Sequence, residues 1–226
     1  MVKVGNPSAA SAFARQHNRL LPWWQRNPTG ALMGIPQLLT FLDNAAENAH
    51  VSIFRGKSVA IDGYAWLHRG AKRCAMEMAR GTPTDQFVQY CCSLLDMLVY
   101  HGVRPLVVFD GSNLPAKAGT EQSRRASRER HRAEATELLR TDQRDRALDA
   151  FHKAVDISPK HAHQLICTLR KRGIEYVVAP YEADAQLAQL ARSGRVACVL
   201  TEDSDMLPFG CPCVLYKMDK SGTGRL

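Results

Sequence analysis

At 226 residues the chain has room for one α/β domain of ordinary size, with a core that needs no disulfide or metal staple. Apolar residues make up 45%, which excludes a disordered tail, and no apolar run reaches the ~18 residues of a helical membrane span, so no membrane partner is expected. Lys and Arg number 30 against 22 acids, a formal charge of +8; such a field is shared by many soluble proteins and is the first requirement for attracting a polyphosphate.

Residues 1–32 stand apart. They carry Lys3, Arg15, Arg19 and Arg26, no acid, and much Ala, Ser, Asn and Pro. We expect a basic leader outside the fold, disordered or read from a start codon upstream of Met33; the composition also resembles an organellar transit peptide. From Ile35 the pattern is globular, with Leu38, Leu39, Leu42, Ala45 and Ala46 predicting a helix to Ala49. Ser58–Asp62 reads as a buried strand, followed by a helix from Tyr64 to about Ala79 and a break at Gly81-Thr82-Pro83. A second helix from Thr84 sets Phe87, Cys91, Leu94, Leu95 and Leu98 at helical spacing and stops at Gly102, before the strand Pro105–Asp110.

Residues 117–153 hold ten basic and seven acidic side chains with few large apolars, a charged helical excursion with little core of its own. Ser158–Arg172 is predicted helical and ends at Gly173. Strands at Glu175–Val178 and Val196–Leu200 bracket a helix expected to start at Pro180, and Cys213–Lys217 is a last strand. Strands alternating with helices predict an α/β fold with a mostly parallel sheet covered on both faces. The seven cysteines are odd in number and lack C-x-x-C spacing; buried free thiols in a reducing compartment are the plain reading.

Apolar strands end in acids three times: Ile61-Asp62, Phe109-Asp110 and Leu200-Thr201-Glu202-Asp203-Ser204-Asp205. In an open parallel sheet, sites form outside the carboxyl ends of the strands, so these acids are expected to converge, joined by Glu182 and Asp184. Any one of them alone is ordinary, since acids are common at strand ends and at helix N-termini. Together they repel: two charges ~4 Å apart cost roughly 4 kcal/mol at an effective dielectric of 20. Cations must offset that repulsion, and hard oxygen donors around an open cleft suit Mg²⁺ or Mn²⁺. Two such ions can generate hydroxide and stabilise a leaving oxygen in phosphoryl hydrolysis. One tension is geometric, because positions i and i+2 of a regular helix point about 200° apart; Glu182 and Asp184 share a site only if the helix start is irregular or one acts through water. An aspartyl phosphatase of the haloacid dehalogenase kind is excluded, because Val108 stands where its nucleophilic Asp would be.

Val59–His68, Val107–Gly111, Ala179–Gln186 and Thr201–Asp205 together resemble the structure-specific 5′ nucleases, the family of flap endonuclease and exonuclease 1. Trp66-Leu67-His68, Leu114–Lys117 and Phe209-Gly210-Cys211 are more similar to the exonuclease 1 branch. The resemblance begins at Met33 and runs to the end of the chain. It implies a PIN-like core over 33–226 with a charged arch at about 112–157, incomplete at its C-terminal side, where a seventh aspartate and a duplex-binding helical module would follow. It implies that Asp62, Asp110, Glu182, Asp184, Asp203 and Asp205 hold two Mg²⁺ ions, with Mn²⁺ an acceptable substitute. It assigns catalytic roles to Lys117 and Arg124, and DNA contacts to Gly34, Tyr64 and His68. The bare residues leave other readings open: Lys117 and Arg124 on a solvated helix with Glu121–Arg125 as an i,i+4 pair, Tyr64 in the core and His68 at the surface. The implied activity is 5′→3′ exonuclease on double-stranded DNA with 5′-flap cleavage, on ends, nicks and flaps, in repair or recombination. A nuclear location is expected, or a mitochondrial one if the leader is a transit peptide; mismatch-repair partners enter through the family alone. The alternatives are a flap endonuclease proper and a truncated DNA-binding remnant.

Overall fold

The computed structural model describes residues 38–41, 45–112 and 115–226. The leader expected at 1–32, Gly34 and Leu114 lie outside the described residues. Among those described, seven strands form one sheet: β1 Asn48–His50, β2 Ser58–Asp62, β3 Arg104–Phe109, β4 Glu175–Val178, β5 Cys198–Thr201, β6 Val214–Tyr216 and β7 Thr223–Arg225. Their order is β1-β7-β6-β5-β2-β3-β4. The run β6-β5-β2-β3-β4 is parallel throughout, and β7 and β1 add an antiparallel edge.

The helices are α1 Leu38–Phe41, α2 Gly63–Ala71, α3 Ala75–Ala79, α4 Gln86–Tyr100, α5 Ala118–Arg140, α6 Arg144–Ala154, α7 Pro159–Lys171 and α8 Ala183–Arg192. Alternation along the central strands feeds two apolar layers. Val59, Ile61, Val107, Phe109 and Leu200 face one cluster with Leu67 of α2, Leu94, Leu95 and Leu98 of α4, and Leu165 and Leu169 of α7. Ala60, Leu106, Val108 and Val199 face the other, against Leu187 and Ala191 of α8. Strands covered on both sides lose the polar face that would otherwise alternate, which is why they read as continuous apolar runs.

Helix ends follow local chemistry. After α4, Gly102 takes φ 75°, the left-handed turn that ends a helix at little cost for a residue without Cβ. At the start of α7, Pro159 occupies the first turn, and the Ser158 N–H donates to His161 Nδ1 at 3.0 Å, closing a capping box.

The structure departs from expectation in three places. The helix expected to run to Ala49 does not: Asn48–His50 is a strand paired antiparallel with Thr223–Arg225. Asn48-Ala49-His50 carries no apolar run, and its partner lies far along the chain. The helix expected at 64–79 is broken by a 3-10 turn at Lys72–Cys74 into α2 and α3. The charged excursion is helical, as expected, and comprises α5 and α6, separated by a turn in which Asp142 takes φ 55°. They share a small cluster, in which Ala135, Ala147, Ala150 and Phe151 pack on Ala75 of α3. Finally, α8 starts at Ala183 rather than Pro180. The carbonyls of Pro180 and Tyr181 accept from the N–H groups of Ser112 (3.1 Å) and Gly111 (2.6 Å). Those carbonyls are taken by another strand's loop, so the helix cannot use them.

Candidate active site

Asp62 ends β2, Asp110 follows β3, Glu182 and Asp184 follow β4, and Asp203 and Asp205 follow β5. Since β5-β2-β3-β4 are parallel neighbours, all six acids lie at one end of the sheet. From β2 the chain moves outward to β3 and β4, then returns to place β5 on the other side. The acids therefore surround the point where strand order reverses, the usual place for a site in an open α/β sheet.

Two glycines allow the close approach. A Cβ on Gly63, directly after Asp62, would lie 2.7 Å from the Phe109 ring and 2.9 Å from the Val108 carbonyl oxygen. A Cβ on Gly111, directly after Asp110, would lie 1.9 Å from the Ala179 carbonyl oxygen. Each Asp-Gly step thus lets the strand end turn against its neighbour with no side chain in the way.

Backbone donors orient the acids. Asp62 caps α2, with Oδ1 accepting from the Ala65 N–H at 3.0 Å. Asp110 accepts from the Ala183 N–H at 2.7 Å and so caps α8 from a different strand. Asp203 accepts from the Asp205 N–H at 2.9 Å. Thr201, which sequence reasoning did not single out, links two strands: its hydroxyl donates to Asp62 Oδ2 at 3.3 Å and accepts from the Asp203 N–H at 3.1 Å. Its only sequence signal is its place at the head of the Thr201–Asp205 segment. Glu202 is engaged elsewhere, its carboxylate held by Arg69 at 2.8 Å, while Arg69 also donates to the Met218 carbonyl.

The tension between Glu182 and Asp184 is resolved by the helix boundary. Glu182 precedes α8 in extended conformation, φ −81° and ψ 141°, so the two side chains are not separated by helical rotation. Asp184, Asp203 and Asp205 offer carboxylate oxygens within 4.8 Å of one another. Asp62 and Asp203 are only 5% and 8% exposed, so little water screens them.

The electrostatics match that crowding. Burial pushes Asp62 up to about 6, and Asp110 and Asp203 push the same way. Asp184 rises to about 7 through burial, with Asp62, Asp203, Asp110 and Glu182 adding repulsion. Asp110 and Asp203 are raised as well, again first by burial. The donor set is all oxygen, partly buried and mutually repelling, and it fits hard divalent cations.

Cations border the cluster. Lys117 forms an ion pair with Glu182, and both Lys117 and Arg124 lower the cost of charging Asp203. Arg124 is exposed and forms no ion pair among the described residues. The expected Glu121–Arg125 pair is not made; Arg125 meets Glu129 at 3.1 Å and Glu121 meets Arg128 at 2.6 Å. Glu121 lies one turn from Arg125 and two turns from Arg128, and the less exposed Arg128 side chain takes it. Tyr64 is half-buried and packs edge-on to Phe109 with ring centroids 6.4 Å apart. Burial lowers His68 to about 4, so its ring is neutral at physiological pH, and Asp156, Arg128, Lys72 and Arg124 surround it.

Comparison with known proteins agrees with this geometry. The XPG N-terminal domain matches residues 33–131, and the XPG I-region matches residues 173–225. Exonuclease 1 of Danio rerio is 50% identical over 192 residues, 85% of this chain and 24% of that protein. Exodeoxyribonuclease 1 of Schizosaccharomyces pombe is 44% identical over 190 residues, 84% of this chain and 33% of that protein. The chain therefore spans about a quarter to a third of the length of these relatives. In fold, it is similar to the catalytic core of Rad2 in complex with a DNA substrate (TM-score 0.61, 19% identity, 85% of this chain and 52% of that one). It is also similar to flap endonuclease-1 from Methanococcus jannaschii (TM-score 0.51, 22% identity, 82% and 62%). With both family regions in place, and with the acids those regions carry gathered at one sheet end, the chain belongs to the XPG family of 5′ nucleases.

Proposed function

We propose that the chain is the catalytic part of a divalent-metal-dependent 5′→3′ exonuclease acting on double-stranded DNA, with 5′-flap cleavage as a related activity. The observation that carries this reading is the convergence of six carboxylates from four neighbouring strands, bordered by Lys117 and Arg124. The names of the relatives, exonuclease 1 and exodeoxyribonuclease 1, support the exonuclease assignment over a flap endonuclease proper. The overall charge of +8 suits a phosphate backbone as substrate.

In this reading Asp184, Asp203 and Asp205 hold one Mg²⁺ ion between them, and Asp62, Asp110 and Glu182 complete a two-ion site; Mn²⁺ is an acceptable substitute. When bound, the ions supply an activated water and neutralise charge on the scissile phosphate. The chain's own residues do the rest. Backbone N–H groups and Thr201 fix the carboxylates before substrate arrives. The Lys117 ammonium and the Arg124 guanidinium stabilise charge that develops on the phosphate oxygens. Tyr64 and the neutral His68, one turn apart on α2, offer ring faces to the terminal bases. Gly34 belongs to the same proposed DNA surface. The partners proposed are DNA with 5′ ends, nicks or flaps, with mismatch-repair proteins as family-level partners. The proposed location is the nucleus.

The test is to incubate the chain with end-labelled blunt, recessed and 5′-flap duplexes, with and without Mg²⁺, and to size the products. The reading expects mononucleotides or short products from labelled 5′ ends that appear only with the metal. Cleavage of flaps alone would move the assignment to a flap endonuclease. DNA binding without any cleavage would leave a binding remnant.

A further inference from the structure

Arg128 lies on α5 one turn after Arg124, and so on the same face of the helix. Its side chain is 20% exposed, low for an arginine on a helix this charged. It reaches two acids: Nη2 donates to Glu121 Oε1 at 2.6 Å along the helix, and the buried Nε lies 3.3 Å from Asp156 Oδ1 as a charge contact without hydrogen-bond geometry. Asp156 sits between α6 and α7, and the next residue, Ile157, is buried in the main apolar cluster with Leu165 and Phe87. Asp156 is thus attached to the core, while Arg128 belongs to the charged helix. Near the start of that helix, Lys117 is tied to Glu182. Arg124 lies between these two tethers and has no ion pair of its own among the described residues.

We propose that the Arg128–Asp156 ion pair fixes the rotation of α5 about its axis and thereby holds the Arg124 guanidinium in reach of the acidic crevice. Arg128 and Asp156 are positioning residues for the proposed cleavage reaction, and the inference rests on that reading. A rotation of one residue about α5 would swing Arg124 by about 100°. Displacement of a catalytic group by about 1 Å costs on the order of 10²-fold in rate. A partly exposed ion pair contributes little to stability, so this one matters through where it places its neighbour.

The experiment measures single-turnover cleavage of a 5′-flap duplex in Mg²⁺, together with duplex affinity and the thermal melt. The variants are Asp156→Asn, Asp156→Glu, Arg128→Lys, Arg124→Ala and the double variant Arg124→Ala/Asp156→Asn. Asp156→Asn should lower the rate on the order of tenfold, with affinity and melting temperature close to wild type, and Asp156→Glu should recover most of the loss. Arg128→Lys, which keeps the charge but loses the planar fork, should fall between. The decisive result is the double variant, which should be no slower than Arg124→Ala alone, because a residue that only positions Arg124 has nothing left to position. A further loss in the double variant, or an unchanged rate in both Asp156→Asn and Arg128→Lys, overturns the proposal. If Asp156→Asn fails to fold, Arg128→Lys carries the same comparison. Failure of the underlying reading shows elsewhere, as absence of cleavage by wild type or an unaffected rate in Arg124→Ala, and it removes this proposal too.

Discussion

The sheet centre and the α5–α6 pair sit on opposite sides of one proposed reaction, and they are held by different forces. Around β2 and β3, fixed backbone ends carry the acids, and apolar layers cover both faces of the strands. The α5–α6 pair has a cluster made mostly of alanines and is otherwise laced with ion pairs. Burying a large apolar side chain is worth about 1.5–3 kcal/mol, whereas a surface ion pair is worth about 0–1 kcal/mol and is screened by salt. The carboxylates are therefore set rigidly before any substrate arrives, while the cations ride on an element that salt and substrate can shift. Mutually repelling acids need an apolar frame to hold them, whereas the cations are placed by ion pairs.

The largest effect expected from breaking the first side is loss of chemistry without loss of fold. Asp110→Ala and Asp205→Ala should each cut turnover on the order of 10³-fold or more, with the fold kept, because the apolar layers beneath them are untouched and the α8 cap lost with Asp110 is worth only about 1 kcal/mol. Wild-type turnover in either variant would remove the acidic cluster from the mechanism. Breaking the second side should be smaller and of a different kind. Lys117→Ala and Arg124→Ala should lower the single-turnover rate on the order of 10²-fold while duplex affinity changes much less, as expected of groups that act on the transition state. An equal loss in rate and affinity would make them ordinary phosphate contacts.

The same contrast explains what could be read in the sequence. The parallel centre was legible because each buried strand is a continuous apolar run that stops at an acid, and Asp62, Asp110 and Asp203 mark three such stops. The start of α8 was not, since it depends on Gly111 and Ser112 taking the carbonyls of Tyr181 and Pro180 from another strand. That one misplaced boundary created the apparent conflict between Glu182 and Asp184. The strands β1 and β7 escaped notice because Asn48-Ala49-His50 and Thr223-Gly224-Arg225 carry no apolar run, unlike the equally short β6, and they find each other only through the tertiary fold. On α5 the charges were legible but their pairing was not. Spacing favours Glu121–Arg125, one turn apart, yet Glu121 reaches two turns to Arg128, and that choice depends on which face of the helix meets Asp156 and His68.

A third test sharpens the acidic side through stability. Asp62 and Asp184 stand at about 6 and about 7 in the folded chain, against an ordinary 3.8. Between pH 4 and 7 the folded state therefore binds more protons at these sites than the unfolded state, and metal-free stability falls as pH rises. His68, lowered to about 4, works in the opposite sense between pH 4 and 6.5, losing stability on acidification. The metal isolates the acids. Saturating Mg²⁺ should raise the melting temperature more at pH 8 than at pH 5.5, where protons compete for the same oxygens. At 100 times its dissociation constant, a ligand specific for the folded state adds about 2.7 kcal/mol, on the order of 5–10 °C for a chain of this size. A shift that is equal at both pH values, or one that survives in Asp184→Asn, would place the metal elsewhere.

The smallest expected effect probes the laced helix itself. Arg125 and Glu129 form an exposed i,i+4 pair at 3.1 Å, with 77% and 60% of their side chains accessible. Both members are largely exposed and neither touches Asp156, so the pair should support α5 locally without placing Arg124. A double-mutant cycle of Arg125→Ala and Glu129→Ala should give a coupling of about 0.3–0.5 kcal/mol at low salt. Toward ~1 M salt, where the screening length falls to about 3 Å, the coupling should be largely lost. The single-turnover rate at fixed salt should be unchanged in either variant, in contrast to Asp156→Asn. If Glu129→Ala slowed cleavage as much as Asp156→Asn, helicity of α5 as a whole would be what matters, and the division of its charges into a positioning face and a solvated face would fail.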